Sequence, residues 1–340
     1  MDLFLLHRDE LHRYYNCSVL TDDQWKAEGA PSISVGLFNF ISGVFFIALT
    51  IPCLIVMLRP ELRKFSCYKI MFYIGIIDVI CLSANALLTG VLAMVGAMPC
   101  PHIELMYPIG CFGVGLWVTQ CASCILLAFN RCVDIWKPKL LTRSFQGKRT
   151  YYWIGLCVVY AVYAIIFSRS AFFTSKNYAW YYSPYTGVDG LKDIDESYYI
   201  NKTQFVNNII VVTVLPALYA FLSFSIWWNS RGHTSSHVNR VQIQVAIQSF
   251  FLCFLDFAAA TLYVYMQFFS TPMQVTVFAQ FVWQFANGRA FIYIIMNKTI
   301  RREVCKMMPF NVVAKRIGIY EQTPRTSNTN PQSNRHNVTF

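Results

Sequence analysis

Formally charged side chains are scarce in this sequence of 340 residues. They make up 13% of the chain, against about 25% in a typical soluble domain. Hydrophobic residues make up 56% of it. This composition excludes an ordinary soluble domain and indicates an integral membrane protein, for which the lipid bilayer is a partner.

Motifs for enzyme chemistry are also missing. The sequence has no GxSxG, HExxH or GxxxxGK[ST] pattern, which would mark a serine hydrolase, a zinc protease or a phosphate-binding loop. The twelve cysteines lack the paired spacing of a zinc site, and Cys121 and Cys124 lie within an apolar run as small buried residues. We therefore expect no catalytic activity, no metal site and no cofactor.

Charge-free runs that are long enough to cross a bilayer recur along the chain. The clearest lies between Glu104 and Arg131 and holds 26 residues, where about 20 suffice to cross a hydrocarbon core of ~30 Å. Pro272 divides the longest run, because proline is poorly tolerated inside a helix but suits its first turn. The sequence predicts an all-α membrane protein, a bundle of seven transmembrane helices at about 33–58, 70–96, 105–132, 151–171, 204–228, 241–269 and 275–296.

Lysine and arginine are distributed unevenly between the two ends of this bundle. The connections after the odd-numbered spans and the C-terminal tail hold 20 of the 28, and the N-terminal tail and the remaining connections hold six. Because basic residues favour the cytoplasmic side, we expect the N-terminus outside. The net charge of +11 then follows from membrane topology, and we expect no nucleic-acid partner.

The chain divides accordingly into four parts. We expect an extracellular tail at 1–32, the bundle at 33–296, a short amphipathic helix on the inner membrane face at 297–309 and a disordered cytoplasmic tail at 310–340. Cys305, within the amphipathic helix, is a candidate for palmitoylation. An unmodified thiol is the alternative.

Three charged residues, Asp78, Asp256 and Arg289, lie away from the ends of the predicted spans, where each costs free energy and therefore suggests a function. At 1.5 Å per helical residue, Asp78 and Arg289 lie at similar depths. We predict an ion pair or a water-bridged network between them, as a static strut or as a moving switch. Asp256 lies too far out to join that network easily, so it contacts a ligand or forms an internal hydrogen bond.

The outer half of the bundle offers candidates for a ligand pocket. Trp117, Gln280 and Trp283 lie in the outer or middle parts of the third and seventh spans, together with Asp256 in the sixth. The alternative is that the aromatic residues are packing residues.

The segments outside the membrane offer candidates for covalent modification. Cys17 and Cys100 lie outside the membrane, and an oxidising exterior favours a disulfide between them over two free thiols. Asn16-Cys17-Ser18 and Asn201-Lys202-Thr203 both match the N-glycosylation pattern.

Several short motifs follow one another along nearly the whole chain. They are Tyr15-Asn16-Cys17-Ser18 with Trp25 and Gly29, Ser66-Cys67-Tyr68-Lys69-Ile70-Met71, Gly75 with Asp78, Leu127-Ala128-Phe129-Asn130-Arg131-Cys132, and Asn287-Gly288 with Ile292-Tyr293 and Asn297-Lys298-Thr299-Ile300-Arg301. In this order and spacing they resemble the nematode serpentine chemoreceptors of class T, within the G-protein-coupled receptor superfamily. The resemblance implies a receptor that detects an environmental small molecule such as an odorant. It also implies signalling to a heterotrimeric G protein and a place in the plasma membrane of sensory cilia.

The resemblance also implies roles for particular residues. Arg131 would take part in G-protein coupling, with Asn130 in place of the usual acidic neighbour. Asp134, three residues on, is near enough on a helix to pair with Arg131 instead.

The resemblance implies a switch in the seventh span as well. Asn287 and Tyr293 would belong to it, whereas the Arg289 charge has no counterpart in the general receptor pattern. The intramembrane network of Asp78 and Arg289 is predicted from their depth alone. A seven-span ligand-gated channel or transporter is the alternative function. It is less favoured because a transport path needs several polar groups near mid-membrane.

Overall fold

The computed structural model describes residues 1–188, 190–191, 194–230, 236–269 and 271–307. The predicted disordered tail at 310–340 lies outside the described residues. Long helices dominate the described chain. They are α1 (Ile33–Met57), α2 (Ser66–Leu82, continued through Ser83–Leu88 and Thr89–Val95), α3 (Ile103–Trp136), α4 (Thr150–Phe167), α5 (Lys202–Ser230), α6 (Ser236–Phe268), α7 (Met273–Asn287, then Ala290–Met296) and α8 (Lys298–Met307).

Seven of these helices form the bundle, and α3 lies at its centre. It packs against α2, α4, α5 and α6, while α1 contacts α2 and α7. Among the described residues, α1 to α5 are each long and apolar enough to span a membrane, and α6 contains the shorter apolar stretch Phe250–Met266. A central helix surrounded by four others is therefore positioned to join both ends of the bundle.

The helices extend past several of the predicted boundaries. The second starts at Ser66 instead of 70, the third runs to Trp136 instead of 132, and the sixth begins at Ser236 instead of 241. The predictions stopped at charged residues, but a helix continues into the polar zone beyond the hydrocarbon core, where charges are solvated. A π-helical stretch, Ser83–Leu88, also interrupts α2. It was not predicted, and it shifts the positions of the residues that follow it around the helix.

The seventh helix is broken, whereas the sequence predicted one span at 275–296. The first part ends at Asn287, and the second begins at Ala290. Gly288 at the break packs against Phe46 of α1, and a Cβ at this position would lie 2.5 Å from a Phe46 ring atom. The absence of a side chain therefore allows α1 to approach α7 at the break.

A cap of short elements covers the end of the bundle that carries the N-terminus, which we call the outer end. It contains short helices at Asp2–Leu5, Arg8–Tyr14 and Asp22–Ala27, and an antiparallel hairpin of β1 (Phe172–Thr174) and β2 (Ala179–Tyr181). The predicted spans at 151–171 and 204–228 left the hairpin segment as a connection without predicted structure. Buried Tyr15 and Trp25 pack in the same hydrophobic cluster as the hairpin residues Phe172 and Phe173.

Arg169 connects the cap to the loop before α5. Its guanidinium lies 4.6 Å from the ring centre of Tyr14 and 5.7 Å from that of Tyr198, and it donates to the backbone carbonyl of Tyr198. Desolvation raises the pKa of Tyr14 to about 12, although the charge of Arg169 opposes this rise. The Tyr14 phenol therefore stays neutral at physiological pH, and its ring remains a cation–π partner.

The expected disulfide between Cys17 and Cys100 is present. It ties the N-terminal segment to the turn that precedes α3. The hairpin is held to the same region, since Ser175 N donates to the carbonyl of Ala97 over 3.1 Å. The disulfide therefore fixes part of the cap that lies over the outer end of the bundle.

Removing this bond with C17S/C100S is expected to lower the free energy of unfolding by about 2–5 kcal/mol, because the reduced chain gains entropy when it unfolds. Thermal unfolding of the detergent-purified receptor measures the change. Reductant should destabilise the wild type and leave the double variant unaffected. A double variant as stable as the wild type would show that the bond contributes nothing to the cap.

Candidate functional site

The three intramembrane charges meet at one buried site, which we call the charge triad: Asp78 of α2, Asp256 of α6 and Arg289 at the break in α7. Arg289 donates from Nη1 to Asp256 Oδ2 over 3.1 Å and from Nη2 to Asp256 Oδ1 over 3.2 Å. Its Nε lies 3.0 Å from Asp78 Oδ2. The three side chains are at most 1% exposed. The pair expected between Asp78 and Arg289 is thus present.

The expectation that Asp256 lies too far from Arg289 is wrong. The depth of Asp256 was counted from the last charge before the span, as though the membrane began there. Helix α6 has 33 residues, so at 1.5 Å per residue it measures ~50 Å. That exceeds the ~30 Å hydrocarbon core, and part of the helix must extend beyond it. Asp256 forms internal hydrogen bonds, the second of the two alternatives expected for it.

Helix α3 completes the surroundings of Asp256. Gln120 Nε2 donates to Asp256 Oδ1 over 2.9 Å, and the Cys124 thiol donates to Oδ2 over 2.9 Å. Sequence reasoning missed Gln120 and treated Cys124 as packing. Their spacing of four residues, which places both on one face of α3, was the available signal.

The two carboxylates of the triad are not bound equally. Asp256 accepts directed hydrogen bonds from Arg289, Gln120 and Cys124, whereas neither oxygen of Asp78 has a hydrogen-bond partner among the described residues. Asp78 is close to the guanidinium, but the angle is not that of a hydrogen bond. Two carboxylates therefore face one guanidinium, and Asp256 is the principal partner.

A cavity lies between the triad and the cap. It measures about 610 Å³ including its opening. On α2, α6 and α7 its residues lie about two helical turns further out than the triad, since Asn85, Tyr263 and Trp283 are six or seven residues from the triad residue of the same helix. The cavity is lined by Ala84, Asn85, Ile109, Gly110, Gly113, Val114, Trp117, Ala171, Trp180, Tyr182, Gln204, Tyr263 and Trp283.

Two of the four residues expected at a ligand pocket line this cavity. Trp117 and Trp283 meet edge to face, with ring centres 6.3 Å apart. Asp256 and Gln280 are not among the residues that line this cavity. Gln280 supports the wall from behind, since its Nε2 donates to the backbone carbonyl of Asn85 and its Oε1 accepts from the Tyr263 hydroxyl.

The sequence did not indicate the other aromatic wall residues. Trp180 and Tyr182 reach the cavity from the hairpin and the residues after it, and no helical pattern predicts their position. Asn85 lies in the π-helical stretch of α2, where regular helical spacing fails. These positions depend on tertiary structure.

Unpaired polar atoms lie in the cavity wall. Neither amide atom of the Asn85 side chain has a hydrogen-bond partner among the described residues, and neither does Trp283 Nε1. Leaving such a buried group unpaired costs about 1–3 kcal/mol. By contrast, Trp117 Nε1 donates to Asn208 Oδ1 over 2.8 Å, and Trp180 Nε1 donates to Thr89 Oγ1 over 2.9 Å.

The inner end of α3 carries the residues expected at the G-protein interface. Arg131 Nη1 lies 3.6 Å from Asp134 Oδ2, so the expected pair is present, with Asp134 48% exposed. Asn130 is fully buried, and its Nδ2 donates to Ser66 Oγ of α2 over 3.0 Å. The Asn130 side chain faces α2, and its part in G-protein coupling stays a prediction.

The other residues expected in the helix-seven switch lie beside the triad without bonding to it. Asn287 Nδ2 donates to the Trp283 carbonyl of its own helix over 2.9 Å. Tyr293 is buried, and its hydroxyl has no hydrogen-bond partner among the described residues. Of the four residues, the structure joins Asp78 and Arg289 alone by a direct polar contact.

The candidate glycosylation sites differ in accessibility. Asn16 is exposed. Asn201 is 1% exposed, its Nδ2 donates to the carbonyl of Arg169 over 2.7 Å, and its Oδ1 accepts from Gln204 N at the start of α5. A glycan is attached through the amide nitrogen, so the prediction for Asn201 is wrong in this fold. Cys305 is exposed, and its palmitoylation stays a prediction.

The seven helices have the arrangement of a rhodopsin-like receptor. The crystal structure of squid rhodopsin matches this structure with a TM-score of 0.57 at 13% sequence identity, over 87% of this chain and 91% of that chain. At this identity the likeness shows the fold alone.

The sequence comparisons are more specific. The family model described as "Serpentine type 7TM GPCR chemoreceptor Srt" matches residues 1–317. Serpentine receptor class T-55 of Caenorhabditis elegans is 28% identical over 299 residues, which cover 86% of this chain and 80% of that protein. The chain belongs to the Srt family of serpentine chemoreceptors. It is a multi-pass membrane protein and a chemosensory G-protein-coupled receptor, and the comparisons do not favour a channel or transporter.

Substitutions in the charge triad test the unequal binding of its carboxylates. R289Q is expected to cost about 3–5 kcal/mol of unfolding free energy, since two buried carboxylates lose their cation. D256N should cost more than D78N, because only Asp256 accepts directed hydrogen bonds. Thermal unfolding of the purified variants gives the order, and a D78N variant less stable than D256N would contradict it.

The accessibility of the two candidate asparagines predicts which of them carries a glycan. N16Q should remove the mobility shift that endoglycosidase treatment produces on a gel, and N201Q should leave that shift intact. Both variants keep a side-chain amide of similar size, so each serves as the control for the other. A shift that persists in N16Q and disappears in N201Q would contradict the burial of Asn201.

Proposed function

We propose that this receptor binds an odorant in the aromatic cavity and signals to a heterotrimeric G protein at the inner end of the bundle. We place it in the plasma membrane of sensory cilia, as the family resemblance implies. The observation that carries the proposal is the position of Trp283. It lines the cavity, and Arg289 of the charge triad follows six residues later on the same broken helix.

Polar contacts connect the cavity to the seventh helix. The backbone carbonyl of Asn85 accepts from Gln280 Nε2 over 2.8 Å and from Gln284 Nε2 over 3.4 Å. Gln284 also donates to Asn39 of α1. A ligand that displaces the cavity wall at Asn85 or Trp283 would therefore displace α7 just before its break.

In this proposal the charge triad is a moving switch that restrains the inactive receptor. Arg289 holds α7 to α2 and α6, and Gln120 and Cys124 add α3 through Asp256. A separation of α6 from α7 must break both hydrogen bonds between Arg289 and Asp256. In a buried site these bonds are not replaced by water, so partial separation is unfavourable and the change is close to two-state.

Arg131 provides the coupling group at the inner end. Its pair with Asp134 is long, at 3.6 Å, and half exposed on the Asp134 side. Such pairs contribute about 0–1 kcal/mol, so a G protein can compete for Arg131. Asn130 contributes indirectly, because its bond to Ser66 fixes the inner end of α3 against α2.

Two substitutions at this pair should act in opposite directions. R131A is expected to reduce ligand-dependent G-protein activation at least ~10-fold, whereas D134A should raise basal activation by up to ~5-fold because it releases Arg131. Nucleotide exchange on the G protein is the readout, normalised to surface expression. The exposed Lys139 supplies the control K139A, which should behave as wild type. Normal signalling by R131A would contradict a role of Arg131 in coupling and would show that the residue only anchors the helix at the membrane surface.

Expression of the full chain in cells tests the function itself. Volatile and soluble compounds should produce G-protein activation that disappears when the G protein is inactivated. A ligand-evoked current that persists without any G protein would support the channel alternative and overturn the proposal.

A further inference from the structure

The chemistry of the cavity wall restricts what can bind there, and this inference rests on the cavity being the ligand site proposed above. Five of the thirteen residues that line the cavity are aromatic, and they come from three helices, the hairpin and the residue after it. None of the described residues that line it carries a formal charge. Because burying an ion without a charged partner is costly, the wall disfavours carboxylates and ammonium groups.

Asn85 supplies the first polar group for recognition. Its backbone carbonyl is held by Gln280 and Gln284, so the main chain at this position is fixed. Asn85 is 1% exposed, and neither of its side-chain amide atoms has a partner in the part of the chain that the structure describes. A fixed backbone with an unpaired side-chain amide in a cavity wall is arranged to bind a polar group of a ligand.

Trp283 supplies the second polar group for recognition. Its indole N–H is buried and has no hydrogen-bond partner among the described residues, whereas the N–H groups of Trp117 and Trp180 are already bonded to Asn208 and Thr89. The three cavity tryptophans therefore differ. Two have N–H groups that are bonded within the wall, and Trp283 has a donor that a ligand can satisfy.

We propose that the receptor recognises an uncharged, largely apolar compound through a carbonyl oxygen, which accepts hydrogen bonds from Asn85 Nδ2 and Trp283 Nε1. A carbonyl oxygen has two lone pairs and can accept from two donors. The aromatic wall supplies apolar contact for the remainder of the molecule. A hydrocarbon of the same skeleton would leave both donors unpaired and would bind less tightly.

A matched set of compounds tests the class of ligand. It contains ketones and, for each, the hydrocarbon, the carboxylate and the amine of the same carbon skeleton, applied to cells that express the full chain with a G-protein readout. At least one ketone should be ~10-fold more potent than its hydrocarbon, and the charged compounds should be inactive. A carboxylate or amine as the most potent compound would overturn the inference.

Two substitutions test the donors. W283F removes the N–H and keeps an aromatic ring, and N85L removes the amide at similar volume. Each should lower the potency of the ketone ~10-fold and leave that of the hydrocarbon nearly unchanged, so that the preference disappears. W228F is the control, since Trp228 is 56% exposed near the inner end of α5. A preference that survives in both variants would overturn the inference.

The thermal stability of the variants shows whether Asn85 recognises a ligand or stabilises the protein. Without ligand, N85L should unfold at the same temperature as the wild type or higher, because it loses no hydrogen bond within the protein. Q284L, which loses its bond to Asn39, should unfold lower. The ketone should raise the unfolding temperature of the wild type and not that of N85L.

The outcomes distinguish this inference from the proposed function. If N85L is destabilised as much as Q284L, Asn85 is a structural group and the inference fails, while the receptor function stands. If no compound of any class activates the G protein or raises the unfolding temperature, the proposed function fails and the inference fails with it.

Discussion

One arginine buried among helices is the interaction on which the rest of this structure depends. If Arg289 left its site, Asp256 and Asp78 would become unpaired charges in a low-dielectric interior, which is costly. The break in α7 brings the guanidinium to both carboxylates, and the bare backbone of Gly288 admits Phe46 beside that break. The packing of α1, α2, α6 and α7 is therefore set by one charged contact.

The outer half of the bundle is built around a different constraint, the enclosure of an uncharged cavity. The hairpin provides Trp180 and Tyr182 as part of its wall, and the disulfide between Cys17 and Cys100 fixes the cap around it. Of the helices that line the cavity, α2, α6 and α7 also contribute to the charge triad, and α3 contacts it through Gln120 and Cys124. A ligand in the cavity therefore contacts helices that also hold the triad. A receptor needs such a connection between its ligand site and the helices that move.

The sequence revealed the fold because bilayer thickness, charge-free runs and the lysine and arginine distribution act on whole segments. It also revealed the pair between Asp78 and Arg289, since helical rise alone brings them to one depth. It did not reveal the place of Asp256, because charge positions do not mark how far α6 extends beyond the membrane. The π-helical stretch at Asn85 and the hairpin tryptophan depend on tertiary packing, and no local pattern specifies them. Asn201 matched a modification motif, but it is used as a helix cap.

The central claim is that activation separates α6 from α7 at the charge triad. Spin labels at the exposed positions Ile247 and Ile295, introduced as I247C and I295C with C305S, allow the distance between the inner parts of these helices to be measured by double electron–electron resonance. The account predicts a single short distance in the ligand-free receptor and a longer one when an activating ligand and G protein are bound, with the longer distance already populated in R289Q. An unchanged distance in a receptor that activates its G protein would contradict it.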